Sequence, residues 1–266
     1  MQLQQTYGKW SATVSDDGYT TMSFNGTAML SSTYATANYT IGTSSGSIST
    51  KGIKHSSLSQ ANITDEFGSG KRVTIAYTNG TATLTRIISL YDNYAIAQAV
   101  VSANNGAVIQ SNNISPIFTE SQSTPFSSSN KKMIFVPYDN DDYTEFAPQT
   151  FSTERTSHEV TAIFDAGSAI GYGFVVGSID HDKWKSAIRV QGTTSNINKL
   201  QCLSGYTAMT TRDGSNPHGY VKGTKVESAR YMMGLFSDWR QGMNTFADLN
   251  VIVAPRAQWA NGNPMG

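Results

Sequence analysis

The strongest constraint on this chain is a recurring pattern of short alternating apolar and polar runs, each closed by a turn cluster. Val73, Ile75 and Tyr77 alternate with Arg72, Thr74 and Thr78. That period of two is the mark of a strand with one buried face. Asn79-Gly80 follows, and the pattern resumes through Leu90. An Asn-Gly pair between two such runs predicts a hairpin whose two turn residues both adopt positive φ. Asp92-Asn93 then divides 87–90 from 96–101, and Asn104-Asn105-Gly106 divides that run from 108–117. Further strands are predicted at 132–136, 159–164, 171–178, 187–190 and 230–236. Spacing this regular predicts an all-β chain, a sandwich or barrel, rather than βαβ units. One segment differs. Trp239, Met243, Phe246 and Ala247 share one face of a helix over 238–250, with Ser237 as N-cap and Asp238 at the positive end of the dipole. A short strand is expected at 251–254, and loops at 121–130, 138–156 and 213–219.

The chain has 266 residues, enough for one large β-sandwich. Only 14% of residues are charged, but aromatics reach 11%, so a buried core rather than disorder is expected. Lys+Arg and Asp+Glu both total 19. With no basic stripe to neutralise phosphates, nucleic acid is not an expected partner. Cys202 is the only cysteine, which excludes an internal disulfide and a four-cysteine zinc site. No cofactor is expected. No apolar run approaches ~18 residues, so no membrane span is expected. The start, Met1 to Gln5, has neither a charged n-region nor an apolar h-region, so a signal peptide is absent or removed.

Several motifs bear on chemistry. Gly42-Thr43-Ser44-Ser45-Gly46 fits the G-x-S-x-G pattern of a nucleophile elbow, but alternating residues follow it where a helix is required, so it reads as a Ser-rich turn. Gly171, Gly173 and Gly177 lie inside an apolar strand, where side chains would crowd a neighbouring layer. His55, His158 and His218 show no metal-ligand spacing. Sequons at Asn25, Asn38, Asn62, Asn79 and Asn113 carry little weight in a chain so rich in Asn, Ser and Thr.

Two segments are candidate sites. The first is Tyr138 with Asp139, Asn140, Asp141, Asp142 and Tyr143, the densest acidic cluster. Thr144 and Thr150 stand where a calcium loop needs Gly and Glu. Two readings stand, a solvated turn or a loop presenting carboxylates and rings to a sugar. The second runs from Ser178 to Lys185 and holds Asp180, His181, Asp182 and Trp184. It reads either as a polar strand end with Trp184 packed in the core, or as part of a sugar site. Asp180 and Asp182 would point the same way on a strand, which rarely suits the two opposed carboxylates of a glycosidase.

Toward the C-terminus, the strand around Tyr231 to Phe236 leads into Ser237-Asp238-Trp239-Arg240-Gln241-Gly242-Met243, then Pro255, Trp259, Gly262 and Asn263-Pro264-Met265-Gly266. This resembles the junction of α-galactosidase-like (melibiase clan) glycoside hydrolases, where a β-sandwich leads through a helical linker into a (β/α)8 barrel. In that clan a Pro-Met-Gly commonly opens the first barrel strand, with Trp-Asn-Ser-Trp after it. Segments 135–141, 157–162 and 176–185 are similar to others of the same N-terminal domain. The resemblance implies a two-sheet antiparallel supersandwich of the galactose-mutarotase type over 1–236. It implies a linker helix and the start of a missing barrel over 237–266. The family's catalytic aspartates lie on barrel strands, so no catalytic residue carries over. What it implies for function is a non-catalytic accessory domain acting with its own C-terminal barrel on α-galactoside-type glycans, in a secreted or periplasmic, bacterial setting. A free-standing carbohydrate-binding module and a stand-alone all-β enzyme using His181 and the acidic loop are the alternatives. Asp139, Asn140, Asp141, Asp142, Tyr143, His181, Asp182 and Trp184 are the residues expected to meet carbohydrate.

Overall fold

A computed structural model describes residues 3–137, 147–205 and 219–254. The chain begins with five strands, β1 (Leu3–Tyr7), β2 (Trp10–Val14), β3 (Thr20–Phe24), the long β4 (Thr27–Ile41) and β5 (Ser44–Ser49). A four-strand meander follows, β6 (Ser57–Asp65), β7 (Gly68–Thr78), β8 (Ala82–Leu90) and β9 (Ala95–Ala103). Then come β10 (Ile109–Thr119), β11 (Lys131–Phe135), β12 (Ala147–Gln149), β13 (Arg155–His158), β14 (Val160–Asp165) and β15 (Gly173–Ser178). The last strands are β16 (Ser186–Gly192), β17 (Ile197–Ser204), β18 (Val221–Gly223), β19 (Lys225–Glu227) and β20 (Tyr231–Phe236), before helix α1 (Trp239–Val253).

Two antiparallel sheets face each other. The first runs β1-β2-β3-β4-β10-β17-β16-β13, with β5 beside β4 and β18 beside β10. The second runs β12-β11-β14-β15-β20-β9-β8-β7-β6, with β19 beside β9. Between them lies the main core, in which Trp10, Leu30 and Ile114 of the first sheet meet Leu84, Ile88 and Phe174 of the second. Arg86 crosses this core with its side chain buried. Its Nη1 donates to the Thr33 carbonyl at 3.0 Å and its Nη2 to Thr33 Oγ1 at 2.7 Å. Burial alone lowers its pKa to about 10.

The fold class is the predicted one, and four local expectations change. The β7–β8 hairpin forms, but neither Asn79 nor Gly80 has positive φ. Instead Asn79 Oδ1 accepts from the Thr81 and Ala82 amides at 2.8 and 2.7 Å, closing a three-residue loop by side-chain capping. The strand expected at 251–254 is helix, because α1 continues through Val253, which packs on the second sheet. The N-cap of α1 is Asp238 rather than Ser237: its carboxylate accepts from the Arg240 amide at 3.0 Å. Part of the expected 138–156 loop is ordered strand, β12 and the start of β13. Gly42 turns the chain from β4 into β5, so strand rather than helix follows the serines, as read.

Helix α1 covers the outer face of the second sheet over β14, β15 and β20. Phe246 and Leu249 join Val160, Ala162, Val175 and Met232 in a separate apolar cluster, and the Trp239 ring lies 4.9 Å from that of Phe164. The glycines of β15 make this approach feasible. A Cβ on Gly173 would strike Trp239, and one on Gly177 would strike the Phe246 ring.

Candidate functional site

Beyond β15 the chain turns through Asp180, His181, Asp182, Lys183 and Trp184 before β16 begins. Ladder pairing places Ser178 opposite Tyr231, which brings Arg230 beside Asp180. Asp180 accepts from the Arg230 backbone amide at 2.7 Å and from its guanidinium at 2.8 to 3.2 Å. The Arg230 Nη1 donates to Glu66 at 2.6 Å, and the guanidinium lies 4.9 Å from the Phe67 ring centroid. Burial works against its charge, but Asp180 and then Glu66 outweigh it and hold the pKa above its ordinary value. Asp180 is therefore a structural carboxylate.

His181 is held from both sides. Its Nδ1 lies 2.6 Å from Glu159 Oε2 on one side, and its Nε2 meets Asn250 Oδ1 of α1 on the other. The Asn250 amide is oriented, because its Nδ2 donates to the Phe246 carbonyl at 2.7 Å. An acceptor therefore faces each ring nitrogen, an arrangement satisfied by the doubly protonated ring. Glu159 raises the pKa of His181, burial opposes it, and Asn250 adds to the rise. With both nitrogens engaged, the ring fastens α1 to the turn and has no free nitrogen to offer a substrate. Trp184 is buried, and its Nε1 donates to the Glu227 carbonyl at 2.8 Å, so the packing reading describes its ring. Asp182 is exposed, near Lys183 at 3.9 Å. The segment is a turn rather than a strand, so Asp180 and Asp182 do not share a face; one side chain is 16% exposed and the other 69%.

These residues line an open cavity of about 660 Å³ together with Gln98, Glu227 and the C-terminal end of α1 at Val253 and Ala254. The structure thus unites His181, Asp182 and Trp184. Asp139, Asn140, Asp141, Asp142 and Tyr143 lie outside the described residues. Glu159, Arg230 and Asn250 escaped sequence reading, since only ladder register and helix docking bring them to residue 180. Among the described residues no group of three or more His, Cys, Asp or Glu side chains is placed to hold a metal ion. No described helix is long and apolar enough to cross a membrane.

No protein-family model matches the chain, and no curated protein does. Solved structures do match. A GH36 α-galactosidase from Geobacillus stearothermophilus in complex with raffinose superposes with a TM-score of 0.58 at 9% identity, over 94% of this chain and 42% of that one. The α-galactosidase from Lactobacillus brevis gives 0.58 at 10% identity, over 93% and 42%. A galactose mutarotase-like protein from Lactobacillus casei gives 0.53 at 6% identity, over 89% and 100%. The chain has the galactose mutarotase-like fold. As a mutarotase-like sandwich it spans less than half the length of the α-galactosidases it superposes on, and the expected likeness to their β-sandwich domain is borne out at the level of fold.

Proposed function

We propose that this chain is the accessory sandwich of a glycoside hydrolase acting on α-galactoside-type glycans, and that it braces a catalytic barrel following Gly266. The observation that carries this reading is the partial superposition: nearly all of this chain matches, over only 42% of each α-galactosidase. A second feature supports it. Val251 and Ile252 in the last turn of α1 are 46% and 44% exposed, beside the cavity that Val253 and Ala254 line. An apolar helix end next to a polar cavity suits the docking of a further domain. On this reading 1–236 is the sandwich and 237–266 the connection into the barrel. The turn at 180–184 and the segment 138–146 are then the parts lent to the substrate pocket. Asp182 supplies its exposed carboxylate to sugar hydroxyls, while His181 and Trp184 hold the turn in place. Location outside the cytoplasm belongs to the same proposal.

A second reading is a stand-alone enzyme. It draws on the matches to mutarotase-like proteins over their whole length, which include a putative aldose 1-epimerase from Escherichia coli at a TM-score of 0.51, 7% identity and 99% of that chain. Two assays on the 266-residue chain separate the readings: polarimetric interconversion of galactose anomers, and hydrolysis of an α-galactoside. The accessory role predicts neither. Anomer interconversion that His181→Ala abolishes would replace the accessory role with an epimerase.

A further inference from the structure

We propose that the outer face of the first sheet, where β5, β4 and β10 lie side by side, binds neutral oligosaccharides, with Tyr220 as the ring on which a sugar stacks. Strand alternation sets out the surface. Ala35, Ala37 and Tyr39 of β4 point into the core, so Asn38 and Thr40 point outward. Ladder pairing puts Ser47 beside Asn38, and Ser45 and Gln110 on either side of Thr40. The result is a row of amides and hydroxyls across three strands. It lines a cavity of about 410 Å³ with Asn112 and Tyr220, and none of the described residues lining it is charged.

Two features set this cavity apart from an ordinary solvated sheet face. The side-chain amides of Asn38, Gln110 and Asn112 make no hydrogen bond to another described residue, so their donors and acceptors are open to a ligand. The Tyr220 ring is 55% exposed at the rim. Amides, hydroxyls and a flat apolar ring without charge match the chemistry of a neutral sugar, whose hydroxyls need paired donors and acceptors. They do not match a phosphate or a metal ion.

The site also has length. Asn112 and Tyr220 also line a neighbouring cavity of about 200 Å³, where Lys183 and Lys185 bring positive charge beside Trp184. The two adjoining cavities that share Asn112 and Tyr220 favour an oligosaccharide over a single sugar. Binding here needs no catalytic domain, so this proposal and the accessory role fail independently.

Titration of the 266-residue chain with stachyose, maltotetraose and cellotetraose, followed by calorimetry, tests it. Saturable binding of at least one is expected. Tyr220→Ala should weaken it about tenfold, the scale of a well-placed aromatic contact. Asn38→Ala and Gln110→Ala should each weaken it about fivefold. Tyr172→Ala, an equally exposed ring elsewhere, should leave affinity unchanged, and the melting temperature of each variant should stay at that of the parent chain. No saturable binding of any of the three at millimolar concentration overturns the proposal. So does binding that Tyr220→Ala and Asn38→Ala leave intact.

Discussion

The two apolar layers of this molecule are built differently. Between the sheets, side chains from many strands interlock, and each sheet contributes one face of alternating residues, as the burial pattern of β8 shows. Outside the second sheet, one helix covers β14, β15 and β20, and those strands are buried on both faces almost throughout. Strands buried on both sides lose their alternation and read as continuous apolar runs. The contrast teaches that α1 is held by its own local layer, thinner than the main core and dependent on the glycines beneath it.

The largest effect should come from the inter-sheet layer. Trp10 is fully buried, so Trp10→Ala should cost about 3–5 kcal/mol. The loss should appear as a lower midpoint for the whole unfolding transition in denaturant. An effect confined to part of the chain would mean that the sheets are not one cooperative unit.

Gly173→Ala should cost less, about 1–3 kcal/mol, because the new Cβ meets Trp239 and the helix must shift. Amide hydrogen exchange should accelerate in α1 and stay slow in β8 and β9. Equal acceleration in both would erase the distinction between the layers.

Two histidines, His158 buried and His181 partly exposed, sharpen the comparison with pH. His158, in the first sheet, is buried, and burial, then Lys185, lowers its pKa to about 4. The fold therefore holds the neutral ring. The stability this contributes is full above 6.5, the ordinary value, and declines as pH falls from there to about 4. His181 runs the other way. Its folded pKa is raised, so its contribution is full below 6.5 and is lost as pH rises through the folded value. Acid should therefore lower the global unfolding midpoint, with His158→Phe reducing the sensitivity. Mild base should loosen α1 alone, by about 1 kcal/mol or less, given the partial exposure of the pair. Hydrogen exchange of α1 that is identical on both sides of the His181 titration would remove the ring as the fastener of the helix.

Much of the fold was legible because strand periodicity is local. Arg72 to Leu90 announces two strands and a turn from neighbouring residues alone. Trp239, Met243 and Phe246 announce a helix in the same way. Its end reads as strand because Val251, Ile252 and Val253 are β-branched and favour strand; docking of Val253 on the second sheet overrides that weak preference. β12 was hidden by Pro148, which is tolerated there because β12 is the edge strand. The site was half legible. The run of polar residues at 180–184 stands out in sequence, but Arg230 reaches Asp180 only through the β15–β20 register, and Asn250 reaches His181 only when the helix docks.

The account rests on this sandwich serving a catalytic domain that follows it. The most direct measurement is α-galactoside hydrolysis by a polypeptide extended through the coding sequence past Gly266, set beside the 266-residue chain. The extended protein should turn over substrate and the shorter chain should not. A stop codon directly after Gly266, or turnover by the shorter chain at the same rate, would contradict it.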